Sequence, residues 1–211
     1  MQTGTTNLGP EGCAEVDHAL SFAQDRMWFL DRMAGGRSTA YVATPMWRVH
    51  GPLDRKRLEL ALSRLVARHQ SLRMRFVERD GAPRVLVADR LDARIDWRDA
   101  ATAAEVEAEA AAEAGEPFDL TTGPLFRVVV WRLSDTEHVL LAAMHHIVSD
   151  GWSISLFVRD LGALYDGDTL PELSLPYTEF ADWQRRELGG VGAAGELGYW
   201  RERLSGLPVL E

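Results

Sequence analysis

The sequence predicts a mixed α/β fold of the α+β type, in which helices pack on a mixed sheet. The first sign is a stripe of apolar residues at helical spacing: Leu58, Ala61, Leu62, Leu65 and Val66. The second is an alternating segment from Leu72 to Val77, followed by the hairpin turn signal Asp80-Gly81. The third is a pair of apolar runs, 125–133 and 138–146, joined by polar residues. These two runs predict a central hairpin that is buried on both faces.

Composition excludes several classes of protein. Of 211 residues, 46% are hydrophobic and 26% are charged, which is ordinary for a globular protein of this length. The net charge of −9 and the lack of a basic patch argue against nucleic acid and anionic membranes as partners. The single cysteine, Cys13, permits neither an intrachain disulfide nor a cysteine-rich zinc site. Neither a signal peptide nor a membrane-length apolar run is visible, so we expect a cytoplasmic protein.

The first part of the chain is predicted to be loose up to residue 17, after which a helix begins. Ser21 and Gln24 have the spacing of a capping box, and the helix should run to about Met33. A strand is expected over 41–49, bent or interrupted at Pro45, because proline cannot donate to a sheet ladder.

Further elements follow from caps and periodicity. Asp54 is expected to cap the helix that carries the apolar stripe, and 84–88 is the returning strand of the hairpin. An alanine- and glutamate-rich helix is predicted over 101–115, with its glutamates on a solvated face. Ser153 can cap the next helix, and a final helical region covers about 177–204.

The segment from Met144 to Ser153 places titratable groups where a strand ends and a helix begins. Adjacent strand residues point to opposite faces, so only one of His145 and His146 can face a given cleft. We assign His146 to the side of Met144, and a structural, hydrogen-bonded role to His145.

The residues alone leave three interpretations of this segment. One is a histidine that handles a proton at a cleft, with Asp150 either orienting a histidine or pairing with an arginine. Another is a metal site formed by His145, His146 and Asp150, which the divergence of adjacent strand residues disfavours. The third is a purely structural histidine pair. Gly151 either supplies backbone freedom or lets a substrate approach closely.

Five segments, taken together, resemble the condensation domains of nonribosomal peptide synthetases. The 144–153 segment matches the family motif His-His-x-x-x-Asp-Gly in full. In the segment 68–76, Gln70 and Met74 stand where the family commonly has glutamate and threonine. The other segments in family style are Ser21 to Leu30, Tyr177 to Trp183 and Tyr199 to Leu204.

The resemblance implies a lobe similar to chloramphenicol acetyltransferase, one of two related lobes with a channel between them. Carrier proteins would dock at the two ends and present thioesters on 4'-phosphopantetheine arms, while the chain itself would bind no cofactor or metal. His146 would lie at the middle of the channel, with His145 as its structural partner. Asp150 would hold the loop by a salt bridge to an arginine, for which Arg73 and Arg68 are the candidates.

The resemblance leaves the role of His146 open between two accounts. As a general base it would take a proton from the attacking amine, typically an effect of about 10²–10⁴-fold. As a positioning and electrostatic group it would hold the amine and stabilise the tetrahedral intermediate.

The chain departs from the family by ending where a second lobe would begin. We expect a loose segment at 1–18, the N-terminal lobe at 19–205 and the start of the crossover at 206–211. The expected partners are the donor and acceptor carrier proteins, the missing C-terminal lobe and the adjacent adenylation domain. An isolated lobe should be inactive, and its exposed inter-lobe face should favour self-association.

Two alternatives share the motif. An epimerization domain would use a base to invert an α-carbon, but Trp152 and Ser153 after the glycine fit condensation better. A non-catalytic docking or recruitment module would typically lose motif residues, which are all present here. A heterocyclization domain would carry aspartate in place of the histidines.

Overall fold

The computed structural model describes residues 7–8, 14–189 and 192–207, and in them helices pack on two β-sheets. The family-like lobe predicted from the sequence is therefore a mixed α/β structure. In chain order the elements are β1 (Asn7–Leu8), β2 (Ala14–His18), α1 (Phe22–Met33), β3 (Val42–Ala43), β4 (Met46–His50), α2 (Arg55–Arg68), a 3-10 turn (Gln70–Arg73), β5 (Met74–Arg79), β6 (Ala82–Ala88), β7 (Ile95–Asp99), α3 (Ala103–Gly115), β8 (Phe126–Ser134), β9 (Glu137–His145), α4 (Gly151–Asp166), α5 (Tyr177–Leu188) and α6 (Gly192–Arg203).

The antiparallel pair β8–β9 forms the centre of a five-stranded sheet. Successive residues of β9 enter two different hydrophobic clusters: Leu141 and Ala143 belong to one, Leu140 and Ala142 to the other. All four are at most 5% exposed. The predicted central hairpin, buried on both faces, is confirmed.

The outer strands of this sheet lie on either side of the hairpin. On one side β3 and β4 both pair antiparallel with β9, and their register is the same before and after the break at Pro45. The carbonyl of Pro45 still accepts from the Ala142 N–H at 3.1 Å, so the proline interrupts the strand without shifting it. On the other side β7 pairs parallel with β8. The sequence did not indicate this strand.

The second sheet has the order β1-β2-β6-β5. Its β5–β6 hairpin turns at Asp80 and Gly81, both with positive φ (52° and 72°), as a type I′ turn requires. The expectation of loose chain before residue 18 is corrected in part, because β2 pairs with Val85 to Ala88 of β6.

Helices α1 and α2 begin as predicted. The Ser21 hydroxyl accepts the Gln24 N–H, the Gln24 side chain accepts the Ser21 N–H, and Asp54 caps α2. The apolar stripe of α2 is buried throughout, with Leu62 and Leu65 at 0% exposure. In α1, however, Trp28 is buried while Phe29 is 61% exposed, so much of this helix's apolar surface is uncovered.

Two glutamates of α3 correct the prediction of a solvated face in part, while Glu105 and Glu107 are exposed as predicted. Glu113 accepts from Arg98 (Nη2, 2.7 Å) and from Arg127 (Nε, 3.2 Å). Glu109 accepts from the buried Trp131 indole N–H at 2.7 Å. These carboxylates therefore fix α3 against the sheet.

Two further predictions are adjusted at the C-terminal side. Asp150, not Ser153, is the N-cap of α4, and Ser153 is its partner three residues on in a capping box. The final helical region is two helices, α5 and α6. In the described part of the chain no helix is both long and apolar enough to cross a membrane.

Candidate active site at the end of the central hairpin

The paired histidines lie where β9 ends and the chain turns into α4. His145 is the last residue of β9, and residues 146–148 form a turn. The His146 N–H donates to the Tyr41 carbonyl at 2.8 Å, so the approach of the edge strand fixes the start of the turn. The Val148 N–H and the Ser149 hydroxyl both donate to the His145 carbonyl, at 3.0 and 3.1 Å. This turn is therefore held by several independent contacts.

His145 is completely buried. Its Nδ1 accepts the Ile147 N–H at 3.0 Å, so in the neutral ring the proton must lie on Nε2. Burial, with a smaller contribution from nearby His146, lowers the pKa of His145 to about 4. The Phe118 ring meets it edge-on, with centroids 6.4 Å apart. His145 is thus a neutral, buried group that holds the turn through the hydrogen bond from the Ile147 N–H, which fits the structural role predicted for it.

His146 is only partly buried and lines a cavity of about 370 Å³. Its Nδ1 lies 3.1 Å from the Ser149 carbonyl oxygen. A carbonyl can only accept, so Nδ1 carries the proton and Nε2 keeps the lone pair of the neutral ring. No described group forms a hydrogen bond with Nε2. The geometry therefore leaves one basic nitrogen available on a side chain that borders the cavity.

The direction of the His146 side chain has a different cause from the one that the sequence predicted. The sequence placed it on the face of Met144 by strand alternation, whereas β9 ends one residue earlier and the turn sets its direction. The cavity is bounded by α1, the turn, the start of α4 and the start of α5. In the structure His145 is buried and His146 borders the cavity, while the catalytic role of His146 stays a prediction.

Asp150 makes no salt bridge to Arg73 or Arg68 within the described structure, and this prediction is corrected. Its Oδ1 accepts the Ser153 N–H at 2.7 Å, and its own N–H donates to the Ser153 hydroxyl at 2.6 Å. Hydrogen bonds from the backbone and side chain of Ser153 to the carboxylate outweigh its burial and lower the pKa of Asp150. Asp150 therefore fixes the loop by capping α4.

The two candidate arginines have other partners. Arg73 donates to backbone carbonyls, among them Val66 at 3.1 Å and Ala88. Arg68 lies 3.6 Å from Asp160, a buried α4 carboxylate that also bonds His69 at 3.1 Å. Tertiary packing decides which partners a long arginine side chain can reach. The sequence does not indicate which of them it binds.

Gly151 is the first residue of α4 and does not have a positive φ. A Cβ added there would meet nothing within 4 Å. The backbone of this chain therefore does not require glycine at this position, so the prediction of backbone freedom is wrong, and the close approach of a substrate stays a prediction.

Sequence reasoning missed three contributors to this site. The Ser149 carbonyl sets the tautomer of His146, and Gln24 and Tyr177 line the cavity from α1 and α5. The capping box predicted the role of Gln24 at the start of α1, but it gave no sign that Gln24 lines the cavity. The metal interpretation finds no support, because no group of three or more histidine, cysteine, aspartate or glutamate side chains in the described residues could hold an ion.

A histidine with an available ring nitrogen, bordering a cavity at the end of a buried hairpin, is the candidate reactive group of this lobe. Comparison with known proteins gives the family. The condensation domain model matches residues 15–211, and the chain belongs to the condensation-domain family of nonribosomal peptide synthetases.

The similar proteins agree with this assignment. One of the linear gramicidin synthase proteins of Brevibacillus parabrevis is 42% identical over 208 residues, which cover 93% of this chain and 4% of that protein. Phosphinothricin tripeptide synthetase PhsC from Streptomyces viridochromogenes is 42% identical over 201 residues, covering 90% of this chain and 18% of that protein. The chain thus spans a small fraction of these curated relatives.

Solved structures show the same fold. The starter condensation domain of rhizomide synthetase RzmA has a TM-score of 0.80 at 21% identity, covering 93% of this chain and 51% of that one. The X-domain in its complex with OxyB, from teicoplanin biosynthesis, has a TM-score of 0.81 at 27% identity, covering 99% and 47%. The chain therefore corresponds to about half of a condensation domain, with its chloramphenicol-acetyltransferase-like fold.

Proposed function

We propose that this chain is the N-terminal lobe of a condensation domain that forms peptide bonds between two carrier-bound thioesters. The donor is an acyl or peptidyl thioester and the acceptor an aminoacyl thioester, each on a 4'-phosphopantetheine arm. His146 is the reacting side chain, with His145, Asp150 and Gly151 shaping its loop. The 42% identity to a linear gramicidin synthase over nearly the whole chain supports this assignment.

The observation that carries the proposal is the hydrogen bond from His146 Nδ1 to the Ser149 carbonyl. It leaves Nε2 as an acceptor at the border of the cavity. A neutral imidazole in this tautomer suits a group that must accept a proton from an amine.

The reaction follows from that nitrogen. The acceptor amine attacks the donor thioester carbonyl, a C–N bond forms, and His146 Nε2 takes the proton that the nitrogen loses. The tetrahedral intermediate collapses, the C–S bond breaks, and the proton returns to the departing pantetheine thiolate. Peptide and free thiol are the products, and no other reactant is consumed.

The isolated chain is proposed to be inactive, because large apolar side chains at the cavity and elsewhere on α1 and α5 are uncovered. Trp152 borders the cavity and is 76% exposed, Phe29 of α1 is 61% exposed and Trp183 of α5 is 49% exposed. Side chains of this size usually lie in interfaces. The second lobe is the proposed partner of this surface, and self-association is expected in its absence.

The test uses a two-lobed protein, made by joining the second lobe of the matching linear gramicidin synthase domain after this chain. Peptide formation is measured with donor and acceptor carrier proteins loaded with amino acids. His146→Ala should lower the rate by about 100-fold or more, as expected for loss of a general base. His50→Ala, an exposed histidine on β4, is the matched control and should retain the rate.

Two results would contradict the proposal. Product formation by the His146→Ala protein at the control rate would remove His146 from the chemistry, and turnover by the isolated chain would remove the need for a second lobe. His146→Asn separates the two accounts of the histidine. An amide side chain can hold an amine but cannot take up its proton, so retained activity would favour positioning.

A docking module is the second candidate. It is favoured by the similarity to the teicoplanin X-domain, which is described in complex with OxyB. In that case the loaded carrier proteins would bind, no peptide would form, and His146→Ala would change neither result.

A further inference from the structure

Gln24 belongs to α1, yet its side chain reaches the turn that carries His146. It is 2% exposed. Its Oε1 accepts the Ser21 N–H at 3.1 Å, and its Nε2 donates to the Ile147 carbonyl at 3.3 Å. The same Nε2 lies 3.7 Å from the Met74 sulfur. One amide thus joins the cap of α1 to the peptide between Ile147 and Val148.

The orientation of this amide is fixed by its partners. The Ser21 N–H can only donate, so the oxygen must face it, and the NH₂ group is left for the Ile147 carbonyl. A capping box requires only an acceptor at this position, and glutamate serves that purpose as well as glutamine. The contact with Ile147, by contrast, requires a donor. The glutamine therefore supplies a hydrogen-bond donor that the turn requires and the helix cap does not.

The Ile147 carbonyl lies in the middle of the segment that sets the tautomer of His146. One end of this segment is the imidazole, and the other is the Ser149 carbonyl that accepts from its Nδ1. Both residues are joined through the peptide that Gln24 holds. Rotation of that peptide would move the Ser149 oxygen away from Nδ1 and free the ring to change tautomer.

The helix that carries Gln24 is itself held in place. Arg185 of α5 donates to the Leu20 carbonyl at 2.6 Å and pairs with Asp25 at 2.7 Å. The Ser21 hydroxyl bonds the Tyr177 hydroxyl at 3.0 Å. The start of α1 is therefore a fixed reference, and a hydrogen bond from it can define the position of the turn.

We propose that Gln24 is a positioning residue for His146, which keeps Nδ1 protonated and Nε2 free by holding the Ile147 carbonyl. The inference rests on the proposed function of His146, but its structural part is measured without substrate. The decisive variant is Gln24→Glu, which keeps an acceptor for Ser21 and replaces the donor by an oxygen that repels the Ile147 carbonyl. Gln24→Met removes donor and acceptor at similar size, and a change seen in both variants cannot be assigned to the added charge.

The readout is the ¹⁵N chemical shifts of the two His146 ring nitrogens in the 211-residue chain at about pH 8, where an ordinary imidazole is neutral. The native chain should show Nδ1 protonated and Nε2 unprotonated. In both Gln24 variants the share of the other tautomer should rise about fivefold, the change that corresponds to one lost hydrogen bond of about 1 kcal/mol. Thr102→Ala, which removes the side-chain cap of α3, is the control for general destabilisation and should leave the shifts unchanged.

Native shifts in both Gln24 variants would overturn the inference, since the contacts of Val148 and Ser149 with His145 would then hold the turn unaided. In the two-lobed protein, Gln24→Glu should lower kcat more than it changes KM. If His146→Ala retains peptide formation there, the proposed function fails, while the tautomer result still decides the role of Gln24 in the turn.

Discussion

Replacement of His145 by asparagine tests whether this histidine is a neutral structural group. In the native chain its Nδ1 accepts the Ile147 N–H, and the ring is completely buried. Asparagine places its Oδ1 close to the position of Nδ1 and can accept the same hydrogen, but it does not titrate. The substitution should cost some stability at every pH through lost ring contacts with Phe118 and Tyr41. It should also remove one pH-dependent contribution.

The size of that contribution follows from the pKa difference between the two states. In the unfolded chain His145 should titrate near its ordinary value of 6.5, and in the fold its pKa is about 4. The folded pKa is the lower one, so the unfolded state binds the proton first as pH falls. Stability is therefore lost between pH 6.5 and pH 4, by about 3 kcal/mol in total at ~1.4 kcal/mol per pH unit.

The assay is urea unfolding at a series of pH values, followed by tryptophan fluorescence. Burial also lowers the pKa values of His69 and His138, so these two histidines likewise make the fold less stable as the pH falls. Because both proteins carry these two histidines, the difference between native chain and His145→Asn isolates His145. The native chain should lose its advantage as pH falls from about 6.5 towards 4. A difference that stays constant over this range would refute the neutral, buried assignment.

Two further predictions concern α4. Asp150→Ala should lower the unfolding free energy by about 1 kcal/mol, while Asp150→Ser should retain most of it, because serine can also cap the helix; urea midpoints compare them. Asp160→Asn should cost about 3 kcal/mol, since Asp160 is 1% exposed and pairs with Arg159, Arg68 and His69. Burial raises the pKa of Asp160, but the hydrogen bonds from Arg159 and His69 outweigh this, and the net pKa is lowered. The side chain is therefore a carboxylate at neutral pH. A native-like urea midpoint for Asp160→Asn at this pH would contradict the prediction.

Elements whose apolar residues recur with a clear period, and are buried in the structure, could be predicted from the sequence. The stripe of α2 and the β8–β9 hairpin follow from local periodicity, which packing then satisfies. Strands β2 and β7 were missed for the opposite reason. Each is a short run of mixed charged and apolar residues, and each pairs with a strand far away in sequence. Pairing across such a distance leaves no local signal.

The site shows the same division. Strand geometry predicted that His145 and His146 would point apart, and they do, but the turn after β9 and not strand alternation sets the direction of His146. The partner of Asp150 was not predictable, since a capping serine and two arginines were all chemically suitable. Which of them it meets depends on the path of the backbone after β9, and the capping box with Ser153 satisfies the carboxylate locally. The contacts of the Asp150 carboxylate were thus decided by the nearest available donor, Ser153.

The register of β9 fixes where His145 lies and where the turn that carries His146 begins. Val42 pairs with His145, and the same register continues past Pro45 to Met46 and Leu141. A shift of one residue would move every side chain of β9 to the opposite face, so the residues that now pack in one hydrophobic cluster would have to fit into the other. Packing of the hairpin therefore excludes the shift. The position of the turn that carries His146 thus depends on burial along the length of β9, while the contact with the Ser149 carbonyl within the turn sets which ring nitrogen is available.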